Sequence, residues 1–260
     1  MVRAASACLP FASLKVSLRA MHHYNVVLVF LSYTVSVLGS FTALQLIGRL
    51  ARVGAGKQRV MTLATASAVM GVGAIWAMHF IAMIALRMPV PVTYNVPLTA
   101  LSALVAVLAC LIGLSLTSRE KQTPLTLITS GSYMGIGVAV MHYLGMYAMR
   151  MPAAVYYDGG TAALSVVVAI LASIAALWIA FKRRGMLQTA VGALVMGVAV
   201  CGMHYIGMAA AHFEPDGAAI RSGGLGGQNL GMIVFAVVFG LLAIILAGVV
   251  RSQRQLNLAT

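Results

Sequence analysis

Three short segments of this chain combine histidine with methionine at one spacing. They read MHFIAM at 78–83, MHYLGM at 141–146 and MHYIGM at 203–208, and they contain three of the six histidines in the sequence. Imidazole nitrogen and thioether sulfur together suit copper, above all Cu(I), better than magnesium or calcium, which take oxygen ligands. The candidate metal ligands are Met78, His79, Met83, Met141, His142, Met146, Met203, His204 and Met208.

On a helix each of these histidines shares a face with the methionine four residues later, because such residues are neighbours on the helix surface. The methionine directly before each histidine is turned towards a neighbouring helix. Zinc is disfavoured because it prefers cysteine, histidine and carboxylate, and the three segments contain no carboxylate. Haem iron also accepts His and Met, so a haem held between helices is the second choice.

The composition indicates a polytopic membrane protein. Of 260 residues, 62% are hydrophobic and 8% are charged, with a mean hydropathy of +0.99, whereas a soluble domain carries about 25% charged residues. The net charge of +13 is better explained by basic anchors of membrane helices than by nucleic acid, since no basic-aromatic cluster is present. The lipid bilayer is therefore a predicted partner and nucleic acid is not.

Seven stretches are long and apolar enough to cross a membrane. They lie at about 25–48, 60–86, 97–117, 125–149, 161–181, 186–211 and 229–250. The basic residues that cluster after spans 1, 3, 5 and 7 are Arg49, Arg52, Lys57, Arg59, Arg119, Lys121, Lys182, Arg183, Arg184, Arg251 and Arg254. Because basic residues favour the cytoplasmic side, the N-terminus is predicted outside and the C-terminus inside. The three segments then lie near the outer ends of spans 2, 4 and 6.

The segments belong to a longer repeat. His79 and His142 are 63 residues apart, and His142 and His204 are 62 apart. The residues before them also match: MGVGAIWAMHF at 70–80, MGIGVAVMHY at 134–143 and MGVAVCGMHY at 196–205, with one extra residue in the first copy. The predicted fold is all-α: an integral membrane bundle of seven transmembrane helices, built from three helical-hairpin repeats plus a seventh helix. Repeats related by an axis along the membrane normal would bring the three segments together at that axis.

Two further patterns concern helix ends and helix packing. An Asn or Asp precedes each odd span, as expected of a helix N-cap; these are Asn25, Asn95, Asp158 and Asn229. Glycines in the even spans are small enough to let helices approach closely; these are Gly71, Gly73, Gly135, Gly137, Gly197 and Gly202.

Other candidate ligands have simpler interpretations. Cys201 lies three residues before His204 and could add a thiolate, but its equivalents in the other copies are Trp76 and Ala139, which favours packing. His22, His23 and His212 could capture metal outside the membrane, although a surface role is favoured. The three cysteines form no disulfide framework and no zinc pattern.

From about Tyr24 to the end of span 7 the chain resembles the MHYT domain family of bacterial integral membrane sensors. The resemblance rests on the threefold motif, the Asn before span 1 and the seven-span plan. The first copy departs from it with Met-His-Phe, and Ile81, Leu144 and Ile206 stand at the fourth letter of the family name. The resemblance implies a copper site near the outer face, formed by the nine ligands named above. It also implies sensing of oxygen, carbon monoxide, nitric oxide or redox state.

The predicted organisation is an N-terminal extension at 1–20, a seven-span membrane domain at 21–250 and a short cytoplasmic tail at 251–260, with Met1 or Met21 as the start. An enzyme is not expected, because the only acids are Glu120, Asp158, Glu214 and Asp216. Many members of the family continue into an output domain, whereas ten residues follow span 7 here. The leading hypothesis is a stand-alone sensor in the bacterial inner membrane with a separate signalling output protein. Alternatives are a copper-handling protein that supplies a copper acceptor, a redox or haem enzyme and a transporter; the oligomeric state stays open.

Overall fold

The computed structural model describes residues 23–50, 53–119, 123–182, 185–215 and 225–226, with 231, 234, 236, 239–240, 243 and 247–248. Six of its helices are long and apolar enough to cross a membrane, and they correspond to predicted spans 1 to 6. Their bounds are Val26–Ile47, Lys57–Ala85, Val96–Arg119, Pro124–Tyr147, Gly159–Lys182 and Met186–Ala209. The all-helical membrane architecture is thus confirmed for these spans.

The predicted seventh span, at 229–250, lies mostly outside the described residues. Every residue that is described in this range is helical. Gly231 packs against Ile84 of span 2, and Val234 is buried. The seventh helix as a whole and the direction in which the bundle crosses the membrane both stay predictions.

The six spans pack in a closed ring in chain order, with span 6 returning to span 1. Span 2 also contacts spans 4 and 6, so the even spans meet inside the ring. Towards lipid, exposed apolar side chains recur every three or four residues, as on one helix face. On span 3 these are Leu101, Leu104, Leu108, Ile112 and Leu116. Such a stripe fits the acyl chains of a bilayer.

Span 2 changes its helix type where the first repeat has its extra residue. It consists of an α-helix at Lys57–Ala68, a π-helix at Val69–Trp76 and an α-helix at Ala77–Ala85. A π-helix bonds each residue to the fifth along the chain and so takes up an added residue. Met70 therefore lines the same small cavity as Met134 and Met196, although it is nine residues from its histidine and they are eight from theirs.

The predicted N-caps are present at the described odd spans. The Asn25 side-chain oxygen accepts from the Val27 amide at 3.0 Å. Asn95 caps the Leu98 amide at 3.1 Å, and Asp158 caps the Thr161 amide at 2.8 Å. These contacts satisfy amides that have no partner within the helix.

The same three capping residues close each hairpin. The backbone amide of each donates to the carbonyl of an alanine six residues after the motif histidine; the pairs are Asn25–Ala85 at 2.8 Å, Asn95–Ala148 at 2.9 Å and Asp158–Ala210 at 2.8 Å. Short antiparallel strands continue each junction. They are β1 (His23–Tyr24) with β2 (Leu86–Arg87), β3 (Thr93–Tyr94) with β4 (Met149–Arg150) and with β7 (Leu225–Gly226), and β5 (Ala153–Tyr157) with β6 (Ala211–Pro215). We call this end of the bundle the motif end.

Close helix approach at the predicted glycines is found for most but not all of them. A methyl group at Gly71 would lie 2.8 Å from the backbone of Ala106, and one at Gly135 would lie 2.5 Å from the Cα of Ile170. At Gly202 no described atom lies within 4 Å of such a group. Among the described residues, close approach at Gly202 is therefore not found.

Candidate metal centre

The three motif histidines meet inside the bundle. The Nδ1 atom of His79 lies 3.0 Å from Nδ1 of His204 and 3.2 Å from Nδ1 of His142. The ring centroids are 5.0, 5.0 and 5.1 Å apart, and the rings are nearly perpendicular. Each histidine is at most 1% exposed. The repeat thus places one imidazole from each even span at a common point.

Glycines of the neighbouring motifs hold two of these rings in place. The outward nitrogen Nε2 of His79 lies against Gly145, and that of His142 lies against Gly207. A methyl group at these positions would also come within 2.9 Å and 3.0 Å of the respective Cδ2 atoms. Each ring therefore occupies space that only glycine leaves free. The equivalent residue of the first motif is Ala82.

Two layers of aromatic rings cover the histidines towards the motif end. Each histidine packs edge-to-face on the aromatic residue that follows it, with centroids 4.8 to 5.0 Å apart. That residue packs in turn on the tyrosine that precedes an odd span, at 5.4 to 5.6 Å. The pairs are Phe80–Tyr94, Tyr143–Tyr157 and Tyr205–Tyr24. These layers join one repeat to the next and keep the imidazoles away from solvent.

Buried serines fix the aromatic layer and were missed in the sequence. Each lies seven residues after a capping residue, and its hydroxyl donates to the carbonyl three residues earlier at 2.7 Å; they are Ser32, Ser102 and Ser165. The Tyr143 hydroxyl lies 2.7 Å from the Ser165 hydroxyl. The common offset from the caps is the signal that could have identified them.

In the first repeat a tryptophan, rather than a tyrosine hydroxyl, contacts the buried serine. Phe80 has no hydroxyl, and the Trp76 indole Nε1–H donates instead to the Ser102 hydroxyl at 3.0 Å. In the third repeat the Tyr205 hydroxyl lies near the Ser32 hydroxyl without reaching hydrogen-bond geometry. Trp76 thus compensates for the departure of the first motif from Met-His-Tyr.

Hydrogen bonds alone do not account well for the cluster. A neutral imidazole offers one N–H donor and one lone pair. If His142 and His204 both donate through Nδ1, the single lone pair of His79 must accept two bonds. The Nε2 atoms of all three rings are buried and have no hydrogen-bond partner among the described residues. Buried polar atoms without a partner are costly.

A metal ion fits the same geometry. Three nitrogens bound at about 2.0 Å to one ion lie about 3.3–3.5 Å apart, close to the 3.0 and 3.2 Å separations seen here. In the described part of the chain these histidines are the group of His, Cys, Asp and Glu side chains whose ligand atoms lie within 4.8 Å of one another. Three imidazole nitrogens this close together are therefore a suitable donor set.

The predicted methionine ligands are buried. Their exposures range from 0 to 3%, for Met78, Met83, Met141, Met146, Met203 and Met208. Met203 lines a small cavity inside the bundle. Met83 lines a larger cavity of about 590 Å³ with residues of β2 to β4 at the motif end. Thioethers thus stand along the helices on both sides of the imidazoles, and their role as ligands stays a prediction.

Two of the other candidate ligands lie away from the histidine cluster. Cys201 is half-buried and falls outside the histidine group, where its thiol approaches Ser32. His212 is exposed on β6, opposite Tyr156. His22 lies outside the described residues. The surface interpretation of His212 and the packing interpretation of Cys201 agree with these positions.

Comparison with known proteins gives the chain its family. Residues 71–130, 135–193 and 197–260 match the repeat described as "MHYT: Bacterial signalling protein N terminal repeat". No solved structure matches the chain.

Several curated relatives are large signalling proteins. MucR of Pseudomonas aeruginosa, named as a bifunctional diguanylate cyclase and cyclic di-GMP phosphodiesterase, is 41% identical over 87% of this chain and 33% of its own length. NbdA of the same organism, named as a cyclic di-GMP phosphodiesterase, is 35% identical over 72% of the chain and 24% of its length. The signalling protein YkoW of Bacillus subtilis is 34% identical over 74% of the chain and 25% of its length.

The chain thus spans about a third or less of the length of these relatives. The three matched repeats, each of which contributes one histidine to the buried cluster, correspond to the repeats described in its sequence. Together with six apolar helices, they show that this multi-pass membrane protein belongs to the MHYT family of bacterial signalling domains.

Proposed function

We propose that this domain is a sensor whose signal is received at a soft metal ion, with copper the first choice, held by His79, His142 and His204. The observation that carries the proposal is the convergence of three Nδ1 atoms, 3.0 and 3.2 Å apart, at a point buried among the even spans. Ionisable side chains within membrane helices are costly and usually mark functional sites.

Copper is favoured by the surroundings of the imidazoles. Each histidine has a buried methionine one residue before it and another four residues after it, and thioethers suit Cu(I). The acids described by the structure, Asp158 and Glu214, lie in the connections at the motif end rather than beside the histidines. Zinc and hard cations, which prefer carboxylate or carbonyl oxygen, are less well supported.

Haem is the weaker alternative. A macrocycle held by two of these histidines would have to lie between their rings. The three rings instead contact one another edge-to-face, with centroids about 5 Å apart. Glycines 145 and 207 receive the far side of two rings, which leaves little freedom for the rings to separate.

The proposed signal is a diatomic gas or a change of redox state. Three nitrogen ligands leave a coordination position that a thioether or a small ligand can take. Copper when bound would supply that position and a one-electron couple whose two states prefer different geometries. The protein's part is to hold three imidazoles together, to exclude water with two aromatic layers and to supply buried methionines on the same helices.

The output we propose is a shift between arrangements of the spans. Each even span contributes one histidine, so a change in the preferred positions of the three nitrogens changes the relative energies of helix arrangements. The receiver is a signalling output protein in or at the bacterial inner membrane. Since two relatives are named as cyclic di-GMP enzymes, control of such an enzyme is the proposed consequence. A copper acceptor would take its place if the domain handles copper.

Metal analysis of the purified protein, with an optical spectrum, tests the proposal. We expect copper without a Soret band, and a markedly lower copper content in His142→Ala while the variant still inserts into membranes. The exposed His212→Ala is the matched control and should keep its copper. A Soret band, or equal copper content in the wild type and His142→Ala, would contradict the proposed site. Copper-dependent transport by the protein alone in vesicles would replace the sensor with a transporter.

A further inference from the structure

A second group of thioethers lies deeper in the bundle than the histidines. A small cavity of about 30 Å³ is lined by Met70, Met134 and Met196, one from each even span, and by Met203. These methionines are 1 to 4% exposed. The first three precede their motif histidines by nine, eight and eight residues. On a helix that offset places them about 12 Å further from the motif end.

The three methionines meet at the cavity although the first repeat has one residue more than the others between its methionine and its histidine. An extra residue between Met70 and His79 would turn Met70 about 100° away from the centre in a continuous α-helix. The π-helix at Val69–Trp76 takes up that residue, so the side chains of Met70 and His79 both face the interior. π-Helices are uncommon and are frequent at functional sites. Its position here keeps two layers of side chains in register at once.

The cavity is also lined by a buried hydroxyl group. Ser40 and Ser173 come from odd spans, each fifteen residues after its capping residue, and both line the cavity. Ser40 is 0% exposed, and its hydroxyl oxygen has no hydrogen-bond partner among the described residues. A buried hydroxyl in this condition needs an explanation, and an ion in the cavity would provide one.

We propose that this cavity is a second soft-metal site, specific for Cu(I), formed by Met70, Met134, Met196 and Met203. Neutral thioether donors select Cu(I) over zinc and over divalent hard cations. A volume of about 30 Å³ accommodates a single ion, since one water needs about 10–15 Å³ by the same measure. The buried Ser40 hydroxyl supplies a weak additional donor. The site does not depend on occupancy of the histidines.

The test is a titration of the purified full-length protein with Cu(I), held reduced by excess ascorbate and buffered by a competing chromophoric chelator. We expect two Cu(I) ions per wild-type chain. The triple variant Met70→Leu/Met134→Leu/Met196→Leu should bind one, because leucine keeps the volume and removes the sulfur. Met61→Leu, whose side chain is 59% exposed, is the matched control and should bind two.

A second variant separates this site from the histidine site. His142→Ala should still bind one Cu(I), and that ion should be lost when the three Met→Leu changes are added. X-ray absorption of Cu(I)-loaded His142→Ala should show sulfur scattering in the first shell, which a merely structural role of these methionines would not produce. Equal Cu(I) stoichiometry in the wild type and a correctly folded triple Leu variant would overturn the proposal. So would a first shell of nitrogen alone in His142→Ala.

Discussion

His79 Nδ1 lies 3.0 Å from His204 Nδ1, although 125 residues separate the two in the chain. His79 Nδ1 also lies within hydrogen-bond distance of His142 Nδ1. If hydrogen bonds hold the cluster, His79 therefore takes part in both of them. A metal ion held by three nitrogens would instead make the three histidines equivalent. This difference allows the two explanations of the cluster to be separated.

We therefore expect His79→Ala, His142→Ala and His204→Ala to lower copper affinity by similar factors, each at least about 10–100-fold. Competition with a calibrated chelator measures the affinity. If only hydrogen bonds hold the cluster, the three variants would bind copper as tightly as the wild type does. In that case His79→Ala would destabilise the protein most, because its loss removes both contacts.

The contacts of Gly145 and Gly207 with the histidine rings predict a way to weaken the site without removing a ligand. A methyl group at Gly145 or Gly207 overlaps the ring of His79 or His142, so Gly145→Ala or Gly207→Ala should displace one imidazole. We expect a fall in copper affinity of about tenfold or more, with the ligands themselves still present. Gly202→Ala is the matched control, since no described atom lies within 4 Å of its new methyl group. Unchanged affinity in both test variants would show that the rings can move without loss of the site.

The contact of Trp76 with Ser102 predicts that a tyrosine hydroxyl at position 80 can replace the indole N–H. Trp76→Phe removes the indole donor to Ser102 and should cost about 0.5–1.5 kcal/mol of stability. Phe80→Tyr places a hydroxyl where the second repeat has Tyr143 beside Ser165. The double variant should regain part of that loss, as thermal unfolding in detergent would show. Additive effects of the two changes would rule out the compensation.

The cap of span 5 predicts a pH dependence at the motif end. Hydrogen bonds from the side chain and backbone of Thr161 lower the pKa of Asp158 below its ordinary value, with a smaller contribution from His212. The ionised cap therefore stabilises the fold above the unfolded-state pKa, and this contribution is lost as the pH falls through the lowered folded-state pKa. Asp158→Ala should lower Tm by about 2 °C at neutral pH. Asp158→Asn keeps an acceptor for the Thr161 amide, so its cap should not titrate. Identical acid profiles of the wild type and Asp158→Asn would contradict this.

The orientation inferred from basic residues predicts labelling at opposite sides of the membrane. Tyr156 is exposed at the motif end, and Ala55 is exposed at the other end, between spans 1 and 2. In a variant without native cysteines, Tyr156→Cys should react with an impermeant thiol reagent in whole cells. Ala55→Cys should react only after the membrane is opened. The reverse pattern would place the histidine cluster near the cytoplasmic face.

Much of this architecture could be predicted from the sequence because the information is local or repeated. Apolar runs specify the spans, and the Asn or Asp before each odd span specifies its first turn. The constant spacing of His79, His142 and His204 predicts their meeting, because repeats related by an axis bring equivalent residues together. The seventh span and the orientation rest on the same kind of local signal and stay predictions.

The sequence by itself determined the six described spans, the caps of the odd spans among them and the equivalence of the three histidines. Only the tertiary structure decided how the rings are used: Nδ1 inward, Nε2 against Gly145 or Gly207, and Trp76 in place of a missing tyrosine hydroxyl. It also decided that a π-helix takes up the extra residue of the first repeat. Met70 therefore faces the interior with Met134 and Met196 instead of being turned away from it. The physical reason is that ring orientation and helix register depend on contacts between repeats. Residues more than sixty positions apart must fill one space together, and no local pattern encodes that requirement.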